Sequence, residues 1–206
     1  MTCVSDYYWD GQCHDDTAYL IKEIHDTYDV TLSNKFTYSQ VSAINAGINA
    51  LANAMGIDRF RNTLGGVTFS IGACTSRRDM CTSGMNEIHL DSVPDDPSYI
   101  EYSTVHEFGH IWDNRCFGCM SSGMEDADGS STDSAGRYYA YGKTATSYAR
   151  TNAAEDWAEA LAAYINPSLV GKAEPGEQPY QMDASRESYV VYSLVPGQWS
   201  LADAYP

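Results

Sequence analysis

The sequence predicts an α+β fold in one domain, and three observations lead to this prediction. The chain has 206 residues, the length of one domain or of one domain divided by a cleft. Hydrophobic residues make up 43% of it and aromatic residues 12%, enough for a sizeable core. Apolar stripes at helical spacing are interspersed with short segments of strand-like alternation. We expect an N-terminal lobe over about residues 1–113 and a mainly helical C-terminal lobe over about residues 114–206.

Two helices are predicted in the first quarter of the chain. The first is capped by Asp16 or Thr17 and carries a single apolar stripe, formed by Leu20, Ile21, Ile24 and Tyr28. The second starts at a capping box, Thr37-x-x-Gln40, and stops at Gly56. Its buried face is predicted from apolar residues at three- and four-residue steps: Val41, Ile44, Ile48, Leu51 and Met55.

Two strands and a third helix are predicted next. Residues 67–71 and residues 87–90 have the composition and patterning of strands. We expect residues 85–90 to be an edge strand, beside which a substrate peptide could add as a further strand. A break over residues 93–97 precedes a helix over about residues 99–113.

The C-terminal lobe is less regular in sequence. Residues 114–147 are rich in Gly, Ser, Asp and Tyr and have little periodicity, which predicts a long loop region. A helix is predicted from Ala153 to about Tyr164, because Asn166-Pro167 follows it. Residues 187–194 are predicted as a short helix.

The charge and the apolar pattern of the chain each argue against one class of partner. There are 28 acidic and 12 basic side chains, a net charge of −16, and nucleic-acid binding needs a cationic face instead. A membrane span needs roughly 18 consecutive apolar residues, and the sequence contains no such run. We therefore expect neither nucleic-acid nor membrane partners.

Six cysteines in a chain of this size indicate an oxidising compartment. Neighbour pairing is the simplest of the 15 possible connectivities, and it joins Cys3 with Cys13, Cys74 with Cys81, and Cys116 with Cys119. The last two could instead form a redox pair or half of a zinc knuckle. Residues 1–6 lack the features of a signal peptide, so we expect a mature secreted protein whose leader is absent from this sequence.

The most informative segment is His106-Glu107-Phe108-Gly109-His110, within a predicted helix. Residues four apart lie on the same helical face, so His106 and His110 can hold one Zn²⁺ through ring nitrogens. Glu107 lies one position round and can reach a zinc-bound water as a general base. The alternative is two histidines in a polar helix face, but the pattern would arise by chance only roughly 0.006 times in a chain of this composition.

A catalytic zinc takes three protein ligands and leaves one position open. Glu155 is the best candidate for the third ligand. Glu159 lies on the same helical face, and this second acid could accept a hydrogen bond from a ligand histidine. Glu155 could also be only an N-terminal helix carboxylate, because Asn152-x-x-Glu155 is close to a capping box. The other candidates lie in no motif: His14, His25 and His89.

Two stretches of sequence resemble a known peptidase family. They are His106-Glu107-Phe108-Gly109-His110-x-x-Asp113 and Ser147-Tyr148-x-Arg150-Thr151-Asn152-x-Ala154-Glu155-x-x-Ala158-Glu159-Ala160. Both, and their separation, are similar to the zinc peptidases that include the catalytic domain of anthrax lethal factor and the bacterial Pro-Pro endopeptidases.

The resemblance implies a gluzincin-like zinc peptidase with a zincin-like fold, in which a small mixed sheet with backing helices precedes the active-site helix. It implies that His106, His110 and Glu155 bind zinc, that Glu107 is the base, and that Tyr148 donates to the oxyanion. A phenol near the metal can do so on physical grounds as well. The six cysteines and the strong acidity differ from the family, so its substrate preference is not carried over.

Three further signals allow other interpretations. Ser131-Thr132-Asp133 with Tyr141-Gly142 faintly resembles the aspartate-ligand zinc peptidases (aspzincins), in which case Asp133 would be the third ligand. Asp126-x-Asp128 resembles part of a calcium loop but is better interpreted as a solvated acidic loop. Asp113 could be an acceptor behind a zinc ligand or a surface acid.

The sequence as a whole predicts a secreted zinc endopeptidase, expected to be a monomer that acts on a protein or peptide substrate. The competing hypothesis is a non-catalytic binding module that is secreted and stapled by disulfides. The presence of Glu107 favours the enzyme, since a decayed site could bind zinc without it.

Overall fold

A four-stranded mixed sheet organises the first half of the molecule. The computed structural model describes Tyr8–Trp9, Gln12–Cys13, and residues 16–33, 35–74, 80–91, 96–173 and 182–195. Two short strands pair antiparallel at the start, β1 (Tyr8–Trp9) and β2 (Gln12–Cys13). The main sheet follows, made of β3 (Val30–Leu32), β4 (Val67–Ile71), β5 (Met80–Ser83) and β6 (Glu87–Leu90). The prediction of an α+β fold is confirmed.

The strands of the main sheet lie in the order β3-β4-β6-β5. β3, β4 and β6 run parallel, and β5 pairs antiparallel with β6. The prediction of an edge strand at residues 85–90 is therefore wrong, because β6 is an inner strand and β5 is the edge. The sequence of β5 is Met-Cys-Thr-Ser, in which no apolar alternation marks a strand; its pairing with β6 decides its conformation.

Four of the described helices lie beside the sheet, and the sequence predicted three of them; the short helix after residue 56 was not predicted. They are α1 (Asp16–Tyr28), α2 (Tyr38–Met55), α3 (Ile57–Leu64) and α4 (Pro97–Arg115). At the start of α2 the capping box is complete, because the Thr37 hydroxyl accepts from the Gln40 amide and the Gln40 side chain accepts from the Thr37 amide. Asp96 caps α4 and Pro97 occupies its first turn. Ile48 of α2, Phe69 of β4 and Phe108 of α4 are fully buried in the common core.

The second half of the chain is mainly helical. Its elements are α5 (Cys119–Asp128), β7 (Ser131–Thr132), β8 (Tyr138–Tyr139), a 3₁₀ turn (Tyr148–Arg150), α6 (Ala153–Ile165), α7 (Val170–Ala173) and α8 (Ala184–Leu194). The central helix, α6, packs against the two helices α5 and α8. The prediction of a loop over residues 114–147 is wrong in part, since this stretch contains α5 and the β7–β8 hairpin. Asn152 caps α6 through the Glu155 amide, and α6 ends before Asn166-Pro167, as predicted.

Asp113 caps the first turn of α5, a helix that the sequence analysis did not predict. Its carboxylate is buried and accepts from the amides of Met120 and Ser121, both at 2.9 Å, in the first turn of α5. Both interpretations of Asp113 offered by the sequence are therefore wrong. The cap comes from the end of the preceding helix, outside the usual N-cap position, and only the fold brings it there.

Two disulfides lie within the described residues, Cys74–Cys81 and Cys116–Cys119. Both were predicted by neighbour pairing. Cys116 and Cys119 are bonded to each other, so the structure does not support a zinc knuckle at this position. The predicted Cys3–Cys13 pair lies outside the residues whose side chains are described. Among the described residues, no helix has the length and apolar character needed to cross a bilayer.

A buried arginine ties α8 to α6. Arg186 is fully buried, and its guanidinium lies against the carboxylates of Asp128, Asp156 and Asp183 at 2.6–2.7 Å. The interpretation of Asp128 as part of a solvated loop is therefore wrong, since its side chain is inaccessible. Asp156 directly follows Glu155, so this network fixes the start of α6 in place.

Candidate metal centre

The helix α4 carries the candidate site on one face and the core on another. Val105, Phe108 and Trp112 are buried against the sheet and neighbouring helices, as their spacing predicts. His106 is buried and His110 is partly buried on the face that α6 covers. The sequence HEFGH therefore has its two histidines one turn apart and directed away from the sheet core.

A glycine allows α6 to lie close to α4. A Cβ atom at Gly109 would be 3.0 Å from Ala158 Cα, a shorter contact than Cβ atoms normally make. The carbonyl of Gly109 accepts a hydrogen bond from Trp157 Nε1 at 3.0 Å. This close contact brings the start of α6, with Glu155, over the two histidines.

Three ligand-type atoms meet between the helices. His106 Nε2 and His110 Nε2 are 3.0 Å apart, and Glu155 Oε2 lies 3.2 Å from the first and 3.1 Å from the second. These three residues form the one group within the described residues that could hold a metal ion. Glu155 lies on α6, 45 residues after His110 in the sequence.

The size of this triangle can be compared with the geometry of zinc. Ligand atoms about 2.0–2.1 Å from a tetrahedral zinc lie about 3.3 Å from one another. The three observed separations are 3.0–3.2 Å, so the triangle would need to expand only slightly to reach tetrahedral spacing. Two imidazoles and one carboxylate are also a donor set that zinc accepts in catalytic sites. The residues present therefore fit a zinc ion.

Glu159 holds His106 from the opposite side. Its Oε1 atom is 2.8 Å from His106 Nδ1, and its Oε2 atom accepts a hydrogen bond from the Tyr102 hydroxyl at 2.9 Å. All three side chains are buried. A carboxylate behind a ligand histidine directs the other ring nitrogen toward the metal. The proposed role of Glu159 agrees with this placement.

The charges of the site shift two pKa values in opposite directions. Burial by itself lowers the pKa of His106, but the carboxylates of Glu155 and Glu159 outweigh it and raise that pKa well above its ordinary value. Burial by itself raises the pKa of Glu155, but His106 and His110 hold it well below its ordinary range. An ionised carboxylate is the form that a metal ion binds.

The remaining predicted residues lie in the same cleft. This cleft has a volume of about 220 Å³, and its lining includes Met80, Tyr99, Tyr102, Ser103, His106, Glu107, Tyr148 and Glu159. The Tyr148 hydroxyl donates to Glu155 Oε1 at 2.6 Å. Glu107 is buried, and its Oε2 atom accepts a hydrogen bond from the Thr82 hydroxyl at 2.6 Å.

The alternative ligands named from the sequence lie elsewhere. Asp133 is in the turn of the β7–β8 hairpin, where it accepts from the Ala135 and Arg137 amides and pairs with the Arg137 side chain. His25 is exposed on α1, and His89 forms a hydrogen bond with Ser70 on the neighbouring strand of the sheet. His14 lies outside the described residues. The structure therefore does not bring Asp133 into the metal group, as an aspzincin-type site would require.

The sequence analysis did not identify Thr82, the residue that contacts Glu107, because no motif marks it.

Comparisons of this chain with family models, with curated proteins and with solved structures gave no match. The interpretation of the site therefore depends on its own geometry.

Proposed function

We propose that this protein is a secreted zinc endopeptidase that cleaves a protein or peptide substrate. The observation that carries the proposal is the triangle of His106, His110 and Glu155, with sides close to tetrahedral zinc spacing, beside the buried carboxylate of Glu107. We further propose a zincin-like fold and a relation to the gluzincin-like peptidases, which the sequence resemblance supports. The two disulfides support an extracellular location.

Each residue of the site has a separate task in this proposal. When bound, zinc supplies a Lewis acid that polarises a peptide carbonyl and makes water more acidic. His106, His110 and Glu155 would hold the ion, while Glu159 keeps the His106 ring in orientation. Glu107 would take a proton from the attacking water at Oε1, since Thr82 occupies Oε2, and pass it to the leaving amine.

Tyr148 would stabilise the developing negative charge on the substrate oxygen. Its hydroxyl now donates to Glu155 Oε1, so this role requires it to exchange that partner for the substrate.

The first test combines a chelator with one substitution. The metal-loaded protein should cleave an unstructured protein, and a chelator should abolish cleavage that added zinc restores. Glu107→Gln should bind zinc as wild type does but lose about 10²–10⁴-fold of the rate, because the proton acceptor is gone. Glu87→Gln, an exposed acid on β6, is the matched control and should keep full activity.

Two results would contradict the proposal. One is cleavage by zinc-loaded Glu107→Gln at the wild-type rate. The other is zinc binding by the wild-type protein with no hydrolysis of a diverse peptide library, the result expected of a binding module.

A further inference from the structure

Thr82 is the edge-strand residue that contacts the proposed general base. Its hydroxyl lies 2.6 Å from Glu107 Oε2 and 3.2 Å from the backbone oxygen of the same residue. A hydroxyl has one proton to donate, and the shorter distance and the greater charge both assign it to the carboxylate. Among the described residues, Glu107 Oε1 has no hydrogen-bond partner, and Glu107 lines the cleft.

The fold holds Thr82 from two directions. Among the described residues β5 pairs with β6 alone, and Thr82 lies opposite Ile88. Side chains alternate along a strand, so Met80 and Thr82 share one face and Cys81 is on the other. Met80 lines the same cleft as Glu107, while Cys81 is tied by its disulfide to Cys74, just beyond the end of β4. The edge strand is therefore anchored on its far face and presents Thr82 to α4.

We propose that Thr82 is a positioning residue for the hydrolysis, holding Oε2 of Glu107 so that Oε1 is presented to the cleft. This inference rests on the proposed function, because it assigns Thr82 a task in that reaction. A glutamate side chain has three rotatable bonds and would otherwise sample several positions. General-base catalysis depends on a fixed distance to the attacking water, and a displacement of about 1 Å can reduce a rate about 10²-fold.

The test uses variants of the full-length, zinc-loaded protein. Thr82→Val keeps the shape and removes the hydroxyl, Thr82→Ser keeps the hydroxyl, and Ser83→Ala removes an exposed hydroxyl on the neighbouring position. We expect Thr82→Val to lower kcat about 10- to 100-fold with KM nearly unchanged. Thr82→Ser should stay within about threefold of wild type, and Ser83→Ala should equal it. Zinc content should be the same in all three. Thr82→Ala replaces Thr82→Val if the valine variant does not fold.

A readout without activity accompanies the kinetics. In crystal structures of the chelator-treated proteins, wild type and Thr82→Ser should show one Glu107 conformer with Oε2 on the residue-82 hydroxyl, and Thr82→Val should show another or several. In a Glu107→Gln background, Thr82→Val should not reduce the residual rate further, because the positioned base is already absent.

The outcomes separate this inference from the proposed function. An inactive wild type overturns the proposed function, while the Glu107 conformers still test the pairing with Thr82. An active wild type whose Glu107→Gln variant is inactive, together with Thr82→Val at the wild-type kcat, overturns the inference alone. A reduced kcat in Thr82→Ser equal to that of Thr82→Val would also overturn it, because the hydroxyl would then have no special role.

Discussion

The imidazole of His106 is held by carboxylates at both of its nitrogens. Glu155 Oε2 lies 3.2 Å from Nε2, and Glu159 Oε1 lies 2.8 Å from Nδ1. Only Glu155 is placed to bind the same metal ion as His106, because Nε2 faces His110 and Nδ1 faces away from it. The two glutamates, four residues apart on α6, therefore lie at different nitrogens of the same ring, as the sequence analysis expects.

Glu159→Gln should lower zinc affinity about 10- to 100-fold without removing a ligand. The amide can still reach Tyr102 and His106, but it lacks the negative charge that makes the ring a stronger donor. Competition with a chromophoric chelator measures the affinity. Glu23→Gln, an exposed acid on α1, should bind zinc as wild type does. A wild-type affinity for Glu159→Gln would show that the carboxylate behind His106 has no effect on the site.

At the scale of elements, the crossing of α4 and α6 sets the site. Two of the three ligand candidates are on α4 and the third is on α6, so their separation depends on how closely the helices approach. That approach is limited at Gly109, where a Cβ would be 3.0 Å from Ala158 Cα and 3.2 Å from Ala158 Cβ. A glycine within a helix lowers its intrinsic stability by about 1 kcal/mol, and here the close packing offsets that loss.

Gly109→Ala should therefore destabilise the protein although alanine favours helices. The added methyl group meets backbone, which cannot move as a flexible side chain does, and such overpacking typically costs about 1–3 kcal/mol. We expect the free energy of unfolding, measured with urea, to fall and zinc affinity to fall with it, since α6 carries Glu155. Ser122→Ala, at an exposed position of α5, should leave both unchanged or slightly improved. Increased stability in Gly109→Ala would contradict this account of the crossing.

At the scale of the whole molecule, the charges of the site should make the stability of the protein depend on pH. In protein stripped by a chelator, the raised pKa of His106 adds stability that is present below its ordinary value of 6.5 and is lost as pH rises through the folded value. The lowered pKa of Glu155 adds stability that is present above its ordinary value of 4.5 and is lost as pH falls through the folded value. In the stripped protein, His106 and Glu155 together should therefore contribute most to the free energy of unfolding between about pH 4.5 and 6.5.

Zinc should stabilise the protein more strongly as the pH rises. Binding requires His106 without its extra proton, so zinc competes with protons and its stabilisation grows as pH rises. We expect the difference in Tm between zinc-loaded and stripped protein to widen from pH 6 to pH 8, as measured by calorimetry. The variant His25→Gln, which removes an exposed histidine, should keep this trend. A difference that is constant over this range would contradict the coupling of His106 to the carboxylates.

Local sequence signals determined much of this molecule. The α+β class, the capped start of α2, the strands β4 and β6, the central part of α4 and the extent of α6 all follow from periodicity and capping, which are interactions between residues close in the chain. The same is true of His106 and His110, because a spacing of four residues places two side chains on one helical face. Glu155 could be named as their partner by chemistry and by resemblance, but its distance from them could not be derived from the sequence.

The remaining features were decided by contacts between distant segments. β5 has no apolar alternation and forms through pairing with β6, α5 is capped by Asp113 from the preceding helix, and Asp128 is buried by Arg186. Thr82 reaches Glu107 only because an edge strand lies beside α4. The sequence by itself determined which groups are available for metal chemistry. The tertiary structure decided which of them meet, because the packing of two helices and one strand fixes distances that spacing along the chain does not specify.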